Sequence, residues 1–396
     1  MTARGLDLCK FNNETVNNMV IDSIYKDKTI VDRLSKKIKT VSLKRAIKIM
    51  HVCGTHENII SRFGLRDLLP ENIEVIAGPG CPVCVCPGHD IELAIELALK
   101  QKAIIATFGD MIKVPSCSPQ PLGRGSLSDA RTQGADIRVV YGPFDAIKIA
   151  KENPDKEIVL FAVGFETTAC GVASLIQQSD FPKNLSILVS HRLIPPSMEF
   201  LLGVGDICID GFLIPGHVAT VMGLEQYQLF PEAYRMPTVA AGFEPVDVLM
   251  GILAVVKQIN EGVYKCENVY QRAVHEKGNI KAQMAIKEVF DVVPAYWRGI
   301  GKIPRSGLNL KERYKMQDAR YRFGGGYPPQ AGAEGKPIAH LNDINPGCSC
   351  HLIMIGKIKP TDCPLFDNTC VPEAPYGPCM VSMDGTCRVW YKYKKQ

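Results

Sequence analysis

A chain of 396 residues, 46% hydrophobic and 22% charged, has the make-up of a globular protein of two or three domains with length enough for a substantial core. Its formal net charge of +5 is small and spread along the chain, with only Lys392, Lys394 and Lys395 clustered, so no basic stripe or reader motif points to nucleic acid. The first twenty residues lack the apolar stretch of a signal peptide, and the longest apolar run, Val248 to Val256, falls far short of the roughly 20 residues that cross a bilayer, so a cytoplasmic protein without membrane spans is expected.

Fifteen cysteines in such a compartment argue for metal or redox work rather than a disulfide framework. Asp22 to Ser42 carries apolar residues at helical spacing among lysines and reads as an amphipathic helix. Ala46 to Val52 is a short apolar run, hence a strand, ending in Cys53-Gly-Thr-His-Glu57 and leading into a helical pattern. The next strand, Ile73 to Ala77, runs into Gly78-Pro-Gly-Cys-Pro-Val-Cys-Val-Cys-Pro-Gly-His89 before a helix from Asp90 to Gln101. Cys81 and Cys84 form a Cys-x-x-Cys pair, with Cys86 a third thiol two residues on. Such a pair suits a reversible disulfide, transient metal handling or a structural zinc knuckle, and no matching second pair lies nearby. Lys102 to Phe108 is a third strand, and Pro115 to Ser128, with Cys117 and Arg124, is a long loop.

A second series follows the same plan. Strands are expected at Ile137 to Tyr141, Glu157 to Val163, Leu185 to Val189, Gly211 to Ile214 and Thr238 to Ala241. They end in turns that carry Glu166, His191, His217 and Glu244. Glu267 to Val293 reads as helix, and Arg298 to Pro337 as a Gly- and Arg-rich connection. The fold class is therefore α/β: two similar doubly wound domains, residues 1–135 and 136–295, with a cysteine-rich third domain at 296–396. Open sheets bind at the carboxyl ends of their strands, which gathers Cys53, His56, Cys81, Cys84, Asp110, Glu166, His191, His217 and Glu244 around one crevice. Cys53 with His56 fits a metal site or a Cys–His nucleophile. Cys9, Cys117, Cys170, Cys208 and Cys266 stand outside any motif and read as structural.

The tail holds Cys348, Cys350, Cys363, Cys370, Cys379 and Cys387. Fourteen, six and sixteen residues separate Cys348, Cys363, Cys370 and Cys387. A cubane cluster tolerates such long loops between four thiolates, leaving Cys350 and Cys379 as a second thiol pair; zinc and plain disulfides stay open.

Cys53-Gly-Thr-His-Glu57, Gly78-Pro-Gly-Cys-Pro-Val-Cys84, Gly164-Phe-Glu-Thr-Thr168 and Pro375-Tyr-Gly-Pro-Cys-Met-Val-Ser382 resemble the signatures of the HypD family of hydrogenase maturation factors, from about Ile47 to Tyr393. The resemblance implies a three-domain protein with a [4Fe–4S] cluster in its last domain, a monomer when alone. It further implies a scaffold, shared with a small HypC-type partner, for the Fe(CN)2CO group of [NiFe]-hydrogenases, to which a HypE-type donor delivers cyanide. By motif, Cys53 resembles the iron-holding cysteine with His56 beside it, and Cys81 with Cys84 the redox dithiol. Cys348, Cys363, Cys370 and Cys387 look like the cluster ligands, and Cys350 with Cys379 like the electron-relaying pair. Cys86 has no place in that pattern. The rival functions are an iron–sulfur disulfide reductase acting on proteins and a structural zinc protein.

Overall fold

The computed structural model describes residues 24–41, 43, 45–116, 125–204, 207–324 and 343–394; Cys9, Cys117 and Arg124 lie outside the described residues. Eleven strands are named within it. They are β1 (Ile47–His51), β2 (Ile73–Ala77), β3 (Ile104–Phe108), β4 (Ile137–Val140), β5 (Ile158–Gly164) and β6 (Leu185–Arg192), then β7 (Gly211–Pro215), β8 (Thr238–Ala241), β9 (Cys266–Asn268), β10 (Phe290–Trp297) and β11 (Gly301–Leu310). One sheet has the order β2-β1-β7-β8-β9 and is parallel throughout. The other has the order β10-β11-β6-β5-β3-β4, with β10 and β11 antiparallel at one edge.

The architecture is the expected α/β one, with helices between parallel strands and a cysteine-rich C-terminal region. The strands sort differently from the chain order. β1 and β2 open the first sheet, β3 to β6 build the second, β7 to β9 return to the first, and β10 and β11 finish the second. A border at 135/136 therefore does not divide the sheets. The reason is pairing: β7 is seated against β1, with Ile49 opposite Gly211, because all five of its residues are buried and need neighbours on both edges. The chain passes between sheets three times, and the loop from Gly78 to His89 lies on the first passage.

Two stretches differ from the sequence reading. Glu267 to Val293 is not one helix; the helix is Ile280–Val289, N-capped by the Asn279 side chain, and β10 follows directly. Arg298 to Pro337 is not simply a connection, since β11 pairs along β10 with a register shift between Val293 and Ala295. That irregularity surrounds Pro294, which has no N–H for a ladder and fits an edge strand.

The seven residues of β5 and the eight of β6 are buried, as parallel strands covered on both faces must be. One apolar core joins Met50 of the first sheet, Phe161 of the second and Met380 of the tail, together with the tail cysteines. Two further cores lie under the outer helices. No helix among the described residues is long and apolar enough to cross a membrane.

Candidate functional site

Cys53 leaves β1 in extended conformation and stands at the N-terminus of the helix Gly54–Arg62. Burial pushes its thiol up to about 12, against the lowering pull of the His56 and Thr55 backbone. A fully buried thiol of this kind is inert until a metal or a charge displaces its proton. His56, one turn on, donates from Nε2 to the Gly242 carbonyl at 3.0 Å, with the Ala241 carbonyl at 3.3 Å. Because both acceptors are carbonyls, Nε2 carries the hydrogen and Nδ1 the lone pair, and Nδ1 has no hydrogen-bond partner. Burial, with His51 and His217 nearby, lowers His56 to about 3, so the ring is neutral near pH 7. Phe243 lies between His56 and His217, with ring centroids 5.1 and 5.0 Å away.

The Cys53 turn is anchored from beneath. His51 Nδ1 lies 3.0 Å from the Cys53 carbonyl, and its Nε2 lies 2.7 Å from Glu57 Oε2. Glu57 also accepts from Arg66 through both oxygens, at 2.8 and 2.7 Å, and from Trp390 Nε1 at 2.8 Å. Burial alone would raise Glu57; Arg66 and His51 outweigh it and hold the carboxyl well below its usual range.

The Gly78–His89 loop folds over this turn. Gly80 accepts at its carbonyl from Gly54 N at 3.1 Å, and a Cβ on Gly80 would lie 2.2 Å from Cys53 N. Only glycine permits that approach. Pro82–Val85 then forms one helical turn with Cys81 as its N-cap, and Cys81 and Cys84 are joined as a disulfide with their Cα atoms 5.3 Å apart. Cys86 is not part of the pair. Its Sγ lies 3.5 Å from Ser190 Oγ, and Ser190 donates to Asp90 at 2.7 Å.

In the tail all six cysteines are buried and line one small cavity, walled otherwise by Leu365, Phe366, Gly377 and Met380. All six are free thiols. Cys348 is lowered to about 7 by a hydrogen bond with Cys350, whereas Cys350 and Cys387 are raised by hydrogen bonds with Cys348 and Cys379 respectively and by burial. Cys379 Sγ accepts from Cys387 N at 3.2 Å and Cys370 Sγ from Tyr376 N at 3.3 Å. Among the described residues, no three His, Cys, Asp or Glu side chains are gathered as a ready site for a single metal ion.

The tail closes on the other two motifs. Thr55 Oγ1 donates to Asp384 at 3.3 Å, and a Cβ on Gly54 would lie 2.2 Å from the Asp384 carbonyl. Ser382 Oγ and Met383 N donate to Asp110 at 3.0 and 3.3 Å. The Cys53 turn, the Cys81–Cys84 helix and Asp110 thus meet the tail segment that carries Cys379, whereas the His56 ring faces Gly242 and Phe243. Other residues placed at the crevice do different work. β6 runs on through His191, whose ring packs edge-on against Phe290, 5.5 Å between centroids, in the second sheet. Glu244 caps the helix Pro245–Glu261 and pairs with Lys26 at 3.3 Å. Glu166 Oε1 accepts from Ile194 N at 2.9 Å, Oε2 has no partner, and burial raises the carboxyl to about 7.

Sequence reasoning missed the residues that lock the motifs together: Asp384, Trp390, Asp90 and Arg298. The signal was weak in each, though Arg298 follows a Trp and precedes a Gly at a strand end, where a buried arginine merits attention.

Comparison with known proteins bears on the whole length. The family model HypD, described as the hydrogenase formation hypA family, matches residues 28–394. A putative hydrogenase expression/formation protein of Methanocaldococcus jannaschii is 43% identical over 93% of this chain and 97% of its own length. The hydrogenase maturation factors HypD of Azotobacter vinelandii and Escherichia coli are 42% and 40% identical, over 89% and 93% of this chain and 91% and 95% of theirs. The four motifs, the convergence of three of them and this similarity over nearly the whole chain lead to one conclusion: the chain belongs to the HypD family of hydrogenase maturation factors.

Proposed function

We propose that this protein is the scaffold on which an iron atom receives cyanide and carbonyl ligands for [NiFe]-hydrogenase, held together with a HypC-type partner and supplied by a HypE-type cyanide donor. The observation that carries the reading is the meeting of three thiol-bearing segments, with Gly54 N on the Gly80 carbonyl at 3.1 Å and Thr55 on Asp384 at 3.3 Å. Cys53, once metal binding displaces its proton, is a soft thiolate suited to low-spin iron, the cargo. His56, three residues on, keeps an Nδ1 lone pair without a hydrogen-bond partner.

Cleaving a thiocyanate sulfur–carbon bond to a thiolate and cyanide takes two electrons. The reduced Cys81–Cys84 dithiol supplies both, forming its S–S bond and releasing two protons. The closed pair then needs two electrons, delivered one at a time by an external donor, and two protons from water before the next turn. Cys348, Cys363, Cys370 and Cys387 would hold a [4Fe–4S] cluster, and their setting fits one: soft, buried thiols with Leu365, Phe366 and Met380 around them and no carboxylate in the lining. When bound, the cluster passes electrons singly. Cys350 and Cys379, free thiols in the same cavity, would pair up those electrons toward the Cys81 loop, which packs near Pro378–Val381.

The test is anaerobic purification with the HypC-type partner, followed by infrared spectroscopy. Cyanide and carbonyl bands should be present and should vanish in C53A, whose tail keeps its iron and sulfide. Bands that survive C53A would overturn the scaffold assignment. Partner-free reduction of protein disulfides by C53A would establish the reductase instead.

A further inference from the structure

We propose that Asp343 is a positioning residue for the Cys81–Cys84 pair: its carboxylate latches the exit of the dithiol loop to the cysteine-bearing tail, and this hold makes the dithiol a stronger reductant. The inference rests on the reading that the pair gives up two electrons, and it adds what sets their driving force.

The helix Gly88–Lys100 leaves the loop straight after Cys86 and Pro87, and its N-cap is Pro87, whose side chain makes no cap bond. A proline ring offers no acceptor, so an orphan N–H at the helix start must find its oxygen elsewhere. Gly88 N finds it 255 residues further along the chain, donating to Asp343 Oδ1 at 2.8 Å. Asp343 is itself buried. Arg298 completes the latch. Its backbone N donates to the Val85 carbonyl at 2.9 Å, and its Nε to the Asp343 carbonyl at 2.8 Å. Val85 follows Cys84 directly, so the bonds at Val85 and Gly88 bracket Cys86 and Pro87 and join the loop to the tail at one point. Nη1 of the same arginine donates to the Pro115 carbonyl at 2.8 Å, which fixes the arginine in turn.

The loop is therefore held on both sides of its disulfide. On the entry side Gly54 N donates to the Gly80 carbonyl at 3.1 Å; on the exit side stand Arg298 and Asp343. The exit anchor continues into the cysteine cavity. Asn345 Nδ2, two residues on, donates to the Tyr376 carbonyl at 2.6 Å, and Tyr376 N donates to Cys370 Sγ at 3.3 Å. Cys348 N donates to the Asn345 carbonyl at 3.0 Å. A disulfide is favoured over its two thiols in proportion to how firmly the fold holds the sulfurs together. Each anchor thus lowers the reduction potential of the pair. Thiocyanate cleavage closes this same S–S bond, so a firmer hold drives that step harder.

The experiment uses the full chain, kept anaerobic and equilibrated in dithiothreitol buffers of stepped redox ratio. Alkylation and mass spectrometry of the peptide carrying Cys81 and Cys84 then read the midpoint potential. D343A should make the disulfide about tenfold easier to reduce, which is ~30 mV upward for a two-electron couple. D343N, which keeps an oxygen for Gly88 N, should stay close to the parent protein. An unchanged midpoint in D343A overturns the proposal. An equal shift in D343N and D343A does so too, since it would assign the effect to charge rather than to the hold. Should D343A fail to fold, N345A carries the test, because it leaves the cap in place and unties its segment from Tyr376. A smaller upward shift in N345A supports the latch, and no shift there overturns it. A parent protein whose pair does not titrate reversibly sinks the electron-donor reading itself, whereas a reversible pair with an unaltered midpoint in D343A sinks only the role of Asp343.

Discussion

Around Cys53 the backbone is held by its neighbours: β1 is paired along β2 on one edge and β7 on the other, and the turns beyond are fixed by direct main-chain contact. The tail from Asp343 to Lys394 has no such frame. Its longest helix, Thr386–Tyr393, has eight residues, and its one β feature among the described residues is the isolated bridge Phe366–Cys370. Much of its interior is thiol, since all six cysteines are buried there beside only a few apolar side chains such as Ile353, Met354, Met380 and Val389. In the first region chemistry is added to a scaffold that hydrophobic burial already sets. In the second the chemical groups are a large part of the core, so whatever binds them contributes to folding.

The sharpest way to break that contrast is C363A. It should abolish iron and sulfide binding (roughly four of each per chain in the parent) and expose residues 343–394 to limited proteolysis, while the sheets keep their unfolding transition. A tail equally resistant in C363A would mean its core stands without a ligand. Next in size is G80A, whose Cβ would overlap the Cys53 main chain at 2.2 Å. A backbone neighbour cannot yield as a flexible side chain does, so a loss of about 3 kcal/mol is expected by denaturant unfolding. Unchanged stability would show that the loop relaxes away from β1.

E57Q should cost about 2 kcal/mol at pH 7, discounted because Arg66 is partly exposed. The sign with pH follows from the lowered carboxyl: its contribution is complete above the unfolded value of about 4.3 and is lost as pH falls through the lower folded one. The gap between E57Q and the parent should therefore narrow below about pH 4; a constant gap would place the effect in packing. The smallest effect is T55V, which removes the 3.3 Å bond to Asp384 and should cost about 0.5–1 kcal/mol. It should appear as faster amide exchange in the tail; exchange raised throughout the sheets instead would show that the two regions unfold together.

Strand ends were legible because buried parallel strands write themselves as short apolar runs, and Ile73–Ala77 and Thr238–Ala241 have the expected bounds. The sites followed, since turns after such strands are where Cys53 and Cys81 sit. β10 was hidden by its edge position: Asp291 and Val292 face solvent and Pro294 interrupts the ladder, so its pattern matched no buried strand. The sheet memberships were hidden for another reason. Local pattern says that a strand forms and nothing about which distant strand it chooses. In the tail, cysteine spacing announced a shared pocket but not which sulfurs approach within it.

The three passages between sheets bear on how the chain is made. Lys48 N is bonded to Asp210, 162 residues later, and β1 has a bare edge until β7 arrives. A fragment ending at residue 135 would carry β1 and β2 without that partner. Such long-range pairing slows folding and delays closure of the first sheet until Gly211–Pro215 has been made. For that interval Cys53, Cys81 and Cys84 lie open to the surroundings, and the nascent protein depends on a reducing environment before its own fold can shelter them.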